Sequence, residues 1–185
     1  MTLGDGKRKV LMLLDEYSSG GELTVDEDIN KKMADFFDIA QKDMAGYKKI
    51  IRCVKIVPDG TSVGCELPKD FADVFRVWKN GYLTIRYAII DGKLVFPEGD
   101  TAERTLEYFA MPETITQKTD DSYKFEVSED AANCLPFFVA AQQLLPDLVV
   151  DYGAFWNMYL NMRAALDVSL PASGSGGVRQ ALFRR

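Results

Sequence analysis

Three cysteines, a glycine-rich stretch and a few adjacent carboxylates are the residues whose types admit chemistry in this chain. Cys53, Cys65 and Cys134 are odd in number, and their spacings match no zinc or dithiol redox motif. Cys134 lies near a predicted helix start, a position that lowers a thiol pKa. However, the chain contains no histidine to serve as its base. The same zero removes Ser-His-Asp and Cys-His catalysis, histidine-ligated zinc or haem, and imidazole pH switching. Asp26 with Asp28, and Asp120 with Asp121, are carboxylate pairs, but 28 acids make such pairs common, and a helix N-terminus accounts for the first. Ser173-Gly174-Ser175-Gly176-Gly177 has no strand before it and no Lys-Ser/Thr after it, so it reads as a linker, not a phosphate loop. Trp78, Tyr82 and Tyr87 with Arg52 and Arg86 form a base-stacking candidate. On a chain of net charge −6, ordinary sheet packing is the stronger reading of that set. Nucleophile, base and oxyanion donor never come together. The expectation is a non-enzymatic protein with no catalytic residue, no cofactor and no metal.

The elements that position these residues follow from composition and period. With 185 residues, 47% hydrophobic and 27% charged, the chain suits one domain. Such a domain buries roughly 70% of its unfolded surface. Three thiols without a pairing pattern suit a reducing compartment. The apolar runs Val10–Leu14 and Pro136–Ala141 are too short for a signal h-region or a membrane span. A soluble protein made in the cytoplasm, with no membrane partner, is expected.

Thr2 caps a first helix in which Val10, Leu13, Leu14 and Tyr17 recur at helical spacing, and Ser18-Ser19-Gly20-Gly21 ends it. Thr24 and Glu27 have the capping-box spacing, and Ile29, Met33, Phe36, Phe37, Ala40 and Met44 make one apolar stripe. The period then shortens to two. Ile50–Val57 reads as a strand, as does Leu83–Ile89; Asp91-Gly92 predicts a type I′ hairpin into Lys93–Phe96. Leu106, Tyr108 and Ala110 predict another strand, and Tyr123, Phe125 and Val127 a last one. Helix resumes after Ser128; Pro136 either kinks it or lies in the first turn of a fresh helix capped by Asn133. A final helix carries Tyr152, Phe155, Tyr159, Met162 and Leu166 on one side and Trp156, Met158 and Leu160 on another, which reads as a partner surface.

The expected fold class is α+β: a helical-bundle core of two N-terminal and two C-terminal helices, with an inserted small antiparallel β-rich region. Residues 1–166 form the single domain, helical over 1–46 and 128–166 and β-rich over about 47–127. Residues 167–185 read as a flexible tail. Three arginines against Asp167 give that tail +2 and leave −8 on residues 1–166. Its end, Leu182-Phe183-Arg184-Arg185, together with Arg179, reads as an apolar and basic docking hook.

The order of short motifs resembles a known family. Ala40-Gln41-Lys42-Asp43-Met44-Ala45 closes the second helix, and Glu66-Leu67-Pro68-Lys69-Asp70-Phe71 follows in the sheet. Leu106-Glu107-Tyr108-Phe109-Ala110-Met111-Pro112, Leu135–Gln142 and the aromatic helix Tyr152–Met162 complete the series. This succession resembles the tailed-bacteriophage head–tail connectors, also called adaptor or head-completion proteins. The resemblance implies a structural virion protein at the head–tail junction, forming a ring, usually of twelve subunits, under the portal. It implies the portal protein and a tail or tail-completion protein as partners, and DNA passing through the channel without sequence-specific binding. It also implies that the tail, through Arg179, Leu182, Phe183, Arg184 and Arg185, reaches the portal or a neighbour. Trp156, Met158 and Leu160 are expected at the ring interface. The alternatives are a tail-side completion or terminator protein and, from another class, a carboxylate-dependent phage hydrolase. Smaller relatives have only loops where this chain has its β-rich middle.

Overall fold

A computed structural model describes residues 1–14, 27–61, 63–144 and 153–170. Helix α1 (Leu3–Leu13) begins in a capping box: Asp5 N–H donates to Thr2 Oγ1 at 3.2 Å, and Thr2 N–H to Asp5 Oδ2 at 3.1 Å. Its buried face is Leu3, Gly6, Val10 and Leu11. Gly6 lies against the Phe37 ring, which a Cβ would approach to 2.9 Å, so the glycine permits the close contact. Helix α2 (Glu27–Tyr47) buries Met33, Phe37, Ala40 and Met44 of the expected stripe and adds Ala34 and Ala45, while Phe36 is half-buried. The predicted Thr24 cap, Tyr17 and the Ser18–Gly21 break lie outside the described residues.

Seven strands follow: β1 (Ile50–Ile56), β2 (Cys65–Glu66), β3 (Phe71–Lys79), β4 (Tyr82–Leu83), β5 (Ala88–Ile90), β6 (Lys93–Val95) and β7 (Arg104–Ala110). They form two antiparallel sheets, in the orders β1-β7-β3-β4 and β2-β6-β5. Central β7 alternates strictly, with Arg104, Leu106, Tyr108 and Ala110 buried. The β5–β6 hairpin closes as expected: Ile90 pairs with Lys93, and Asp91 and Gly92 take φ of 50° and 73°, the type I′ requirement. The chain then turns helical again through one-turn α3 (Glu129–Ala132), α4 (Leu135–Leu144) and α5 (Gly153–Ala164). Pro136 sits in the first turn of α4, a separate helix, where its missing N–H has no intrahelical partner to lose.

The helical-bundle core expected from the periodicity is not what the chain builds. The sheets are no decoration on a bundle, because they hold a core of their own: Ile56, Val77, Leu94, Phe96, Leu106, Tyr108 and Ala110. The other core is not purely helical either. α1, α2 and α5 pack on α4, but Ile115, Phe125 and Val127 from non-helical segments fill the space among them. The fold is α+β with two sheets of four and three strands. Ile50 touches both cores and marks their junction.

Two further expectations are corrected. Tyr123–Val127 is no sheet strand; its backbone pairs with the N-terminus, Leu3 N–H donating to Tyr123 O at 2.8 Å. Leu83–Ile89 is not one strand but two short ones in different sheets, joined by Thr84–Tyr87.

Candidate functional site

Of the carboxylates singled out for chemistry, Asp120 and Asp121 are engaged within the fold. Asp120 closes a turn on Ser122, whose hydroxyl and backbone N–H hold the Asp120 carboxyl below the ordinary carboxylate range. Asp121 pairs with Lys7 at 2.6 Å. Asp26 lies outside the described residues, and of Asp28 only its place in α2 is described. Burial pushes the thiols of Cys53, Cys65 and Cys134 up, away from the reactive thiolate. This reverses the expectation for Cys134, which is buried in the helical core beside Asp130. Among the described residues no group of three His, Cys, Asp or Glu side chains is placed to hold a metal.

The basic and aromatic set of the middle region does not converge on one platform. Arg52 on β1 is spent on a joint between the two cores. Its Nη1 donates to Asp70 Oδ2 at 2.5 Å and its Nη2 to Glu126, while Tyr108 OH donates to Asp70 Oδ1 at 3.1 Å. Burial alone would lower the Arg52 pKa; the hydrogen bonds and charges of Asp70 and Glu126 outweigh it and raise the value. Glu126 is also held from the helical side, where Gln41, fully buried, accepts its N–H at 3.0 Å and donates to Glu113 O at 3.2 Å. Tyr87 packs against the sheet core, whereas Tyr82 and Arg86 are exposed. Trp78 is half-buried on β3, opposite Leu83 and Thr105.

What the fold leaves open is apolar surface in two places. The first is Tyr82–Ile90, along the outer edges of both sheets. Leu83 is 55% exposed, Ile85 85% and Ile90 53%, and all three residues of β5 are exposed. β4 and β5 are the terminal strands of their sheets, so among the described strands each has an unpaired edge. The period-two pattern that assigned this stretch to a strand gave no sign of that exposure, because alternation marks a face without saying whether it is covered.

The second is α5. Tyr159 is fully buried, its OH donates to Asp43, and its ring lies 5.2 Å from Phe138 and 5.5 Å from Trp156. Burial, then the Asp43 hydrogen bond, raise the Tyr159 pKa. Trp156 belongs with Tyr159, packed on the helical core with Phe155, Met162 and Leu166. Met158 and Leu160 are the exposed pair, at 50% and 39%. Trp156 and Leu160, four apart, share a side of the helix, whereas Met158, two from each, diverges from both, so Trp156, Met158 and Leu160 do not form one patch. The tail residues Arg179, Leu182, Phe183, Arg184 and Arg185, and Tyr152, lie outside the described residues.

No protein-family model matches this chain, and no curated protein matches it. No helix among the described residues is long and apolar enough to cross a membrane. The arrangement offers surfaces for binding and stable joints behind them.

Proposed function

We propose that this chain is the ring-forming subunit of a tailed-phage head–tail connector, seated under the portal and extending the DNA channel toward the tail. The observation that carries the proposal is uncovered apolar surface in two places, the stretch Tyr82–Ile90 and helix α5, where Met158 and Leu160 are exposed in divergent directions. Two different patches on one subunit are what a head-to-tail assembly buries, and a head-to-tail contact closes into a ring when its rotation allows. The motif order that resembles the connectors points the same way. A net charge of −6 suits a conduit whose wall must not hold DNA by its phosphates. Met158 and Leu160 serve the ring interface in this reading, while Trp156 supports them from the core. The tail, with Leu182 and Phe183 as apolar anchors and Arg179, Arg184 and Arg185 as ion-pair donors, reaches the portal or a neighbouring subunit.

The test replaces the exposed pair, Met158→Lys with Leu160→Lys. Circular dichroism and melting temperature should stay near those of the unsubstituted protein, since neither side chain is buried. Incorporation below the portal should be lost. Full incorporation of the variant would remove α5 from the interface. Binding to isolated tails instead of portal-bearing heads would assign the chain to the tail side of the junction.

A further inference from the structure

Among the described residues, the contacts that join the two cores gather at the start of β1. The extensive packing between elements runs helix on helix and strand on strand, and Ile50 is the one described side chain that belongs to both cores. The chain crosses between them twice, from α2 into β1 and from β7 toward Ile115.

Hydrogen bonds fix how far each body reaches into these crossings. On the first, Lys48 is held to the helical side: its N–H donates to Met44 O at 2.7 Å, and its Nζ pairs with Asp130 at 2.6 Å. Ile50 already pairs with Ala110 in the sheet. On the second, Met111 N–H donates to Asp70 O at 2.8 Å, on the sheet side. Two residues on, Glu113 O accepts from Gln41 at 3.2 Å, and Ile115 N–H donates to Asp38 at 2.9 Å, both on the helical side. Lys49 and Pro112 lie between the two sets of anchors. Because Ile50 and Ala110 face each other on one rung, both crossings leave the sheet side by side. Two adjacent pivots define one axis, and a few residues at the ends of elements are enough to absorb a rotation of rigid bodies.

Arg52 sits beside that axis, and its two hydrogen bonds go to different bodies. Asp70 belongs to the sheet side, where Tyr108 OH also donates to it at 3.1 Å. Glu126 belongs to the helical side, where its N–H donates to buried Gln41 at 3.0 Å. A rotation at Lys49 and Pro112 therefore parts Arg52 from Glu126 and leaves Arg52 with Asp70. Neither charge is stranded away from water, since both side chains are only half-buried.

We infer that Lys49 and Pro112 form a hinge between the helical body and the sheet body, and that the Arg52–Glu126 pair is its latch. When the latch opens, residues 50–111 turn as a unit and carry the exposed Tyr82–Ile90 surface with them. The inference concerns the chain by itself and holds or fails independently of the connector reading.

Distances between spin labels, measured by double electron–electron resonance on the full chain, test it. Glu98 on the sheet body and Asn161 on α5 are exposed and take the labels as Glu98→Cys and Asn161→Cys. Exposed Cys53 and half-buried Cys65 are replaced by alanine, and buried Cys134 is kept. The chain with its latch intact should give one narrow distance. Glu126→Ala keeps the backbone bond to Gln41 and should about double the width of that distribution, or add a second distance. Arg52→Met should do the same. Asp70→Asn should leave the distance narrow, because its bond to Arg52 lies within the sheet body. A control pair inside the helical body, Asp35→Cys with Asn161→Cys, should stay narrow throughout. An unchanged distance in both latch variants would overturn the inference, and so would a broad distance before the latch is touched. It would equally fail if Asp70→Asn broadened the distance as much as Glu126→Ala, or if the control pair broadened alongside.

Discussion

Replacing Arg52 by Met should loosen the joint between the sheet core and the helical core. Methionine keeps most of the aliphatic stem, so the packing loss is small and the change isolates the guanidinium. Two charge-assisted hydrogen bonds disappear, to Asp70 and to Glu126, and both carboxylates stay behind half-buried. A hydrogen bond to a charged group contributes about 1.5–3 kcal/mol when well buried. Arg52 is 39% exposed and its partners 26% and 21%, so water screens part of this, and about 2 kcal/mol for the pair of bonds is the working figure. For a chain of 185 residues that corresponds to a fall in melting temperature of about 4–8 °C. Arg52→Lys should recover roughly half, since lysine offers a single charged group where arginine bridges two acids. Thermal melts of both variants, with Asp70→Asn and the double variant to close a cycle, measure the coupling. A shift below about 1 °C for Arg52→Met, or additive effects in the cycle, would refute the view that this residue joins the two cores.

Two further outcomes follow from buried or capped groups. Tyr159→Phe keeps the ring contacts to Phe138 and Trp156 but removes the donor to Asp43, leaving Arg163 at 3.2 Å as that carboxylate's partner; a loss of about 1–2 kcal/mol in urea melts is expected, and an unchanged midpoint would mean that Arg163 suffices. The pH dependence has a definite sign: the Lys48 and Ser128 hydrogen bonds hold Asp130 at about 2, and the Thr2 cap holds Asp5 at about 2, both below the ordinary 3.8. Their contribution is therefore complete above about pH 4 and disappears as pH falls toward 2, so Asp130→Asn should flatten part of the drop in melting temperature over that window, and an identical acid profile would contradict the assignment.

Single elements were legible where local signals agreed with the final packing, whereas the expected helical-bundle core gave way to a sheet core of its own. Thr2 and Asp5 announce the α1 cap, Met33, Phe37, Ala40 and Met44 the buried face of α2, and Asp91-Gly92 the hairpin. β3 escaped notice because irregularities between Phe71 and Asp73, and between Val74 and Arg76, break its period of two. A signal for it was present all the same. Asn80-Gly81, with φ of 50° and 78°, is the strongest type I′ dipeptide and turns β3 into β4. Tyr123, Phe125 and Val127 alternate as a strand does, yet the alternation serves the helical core, and only a tertiary contact with Met1–Leu3 decides that. The same limit applied to α5. Trp156 neighbours both Tyr159, three along, and Leu160, four along, and only the packing decides that Trp156 joins Tyr159 on the core while Leu160 stays exposed. The Arg52, Asp70 and Glu126 joint spans separations of 18 and 74 residues and left no trace in the sequence. Nor did the exposure of Ile85 and Arg86, because apolar pattern reports a preference for burial, not its fulfilment.

Electron microscopy of the purified chain mixed with a purified portal ring tests the central claim most directly. A closed ring of this protein stacked on one end of the portal, coaxial with its channel, is the predicted result. Portal rings that remain bare at a large excess of this chain, with the chain folded and dispersed beside them, would contradict the connector assignment.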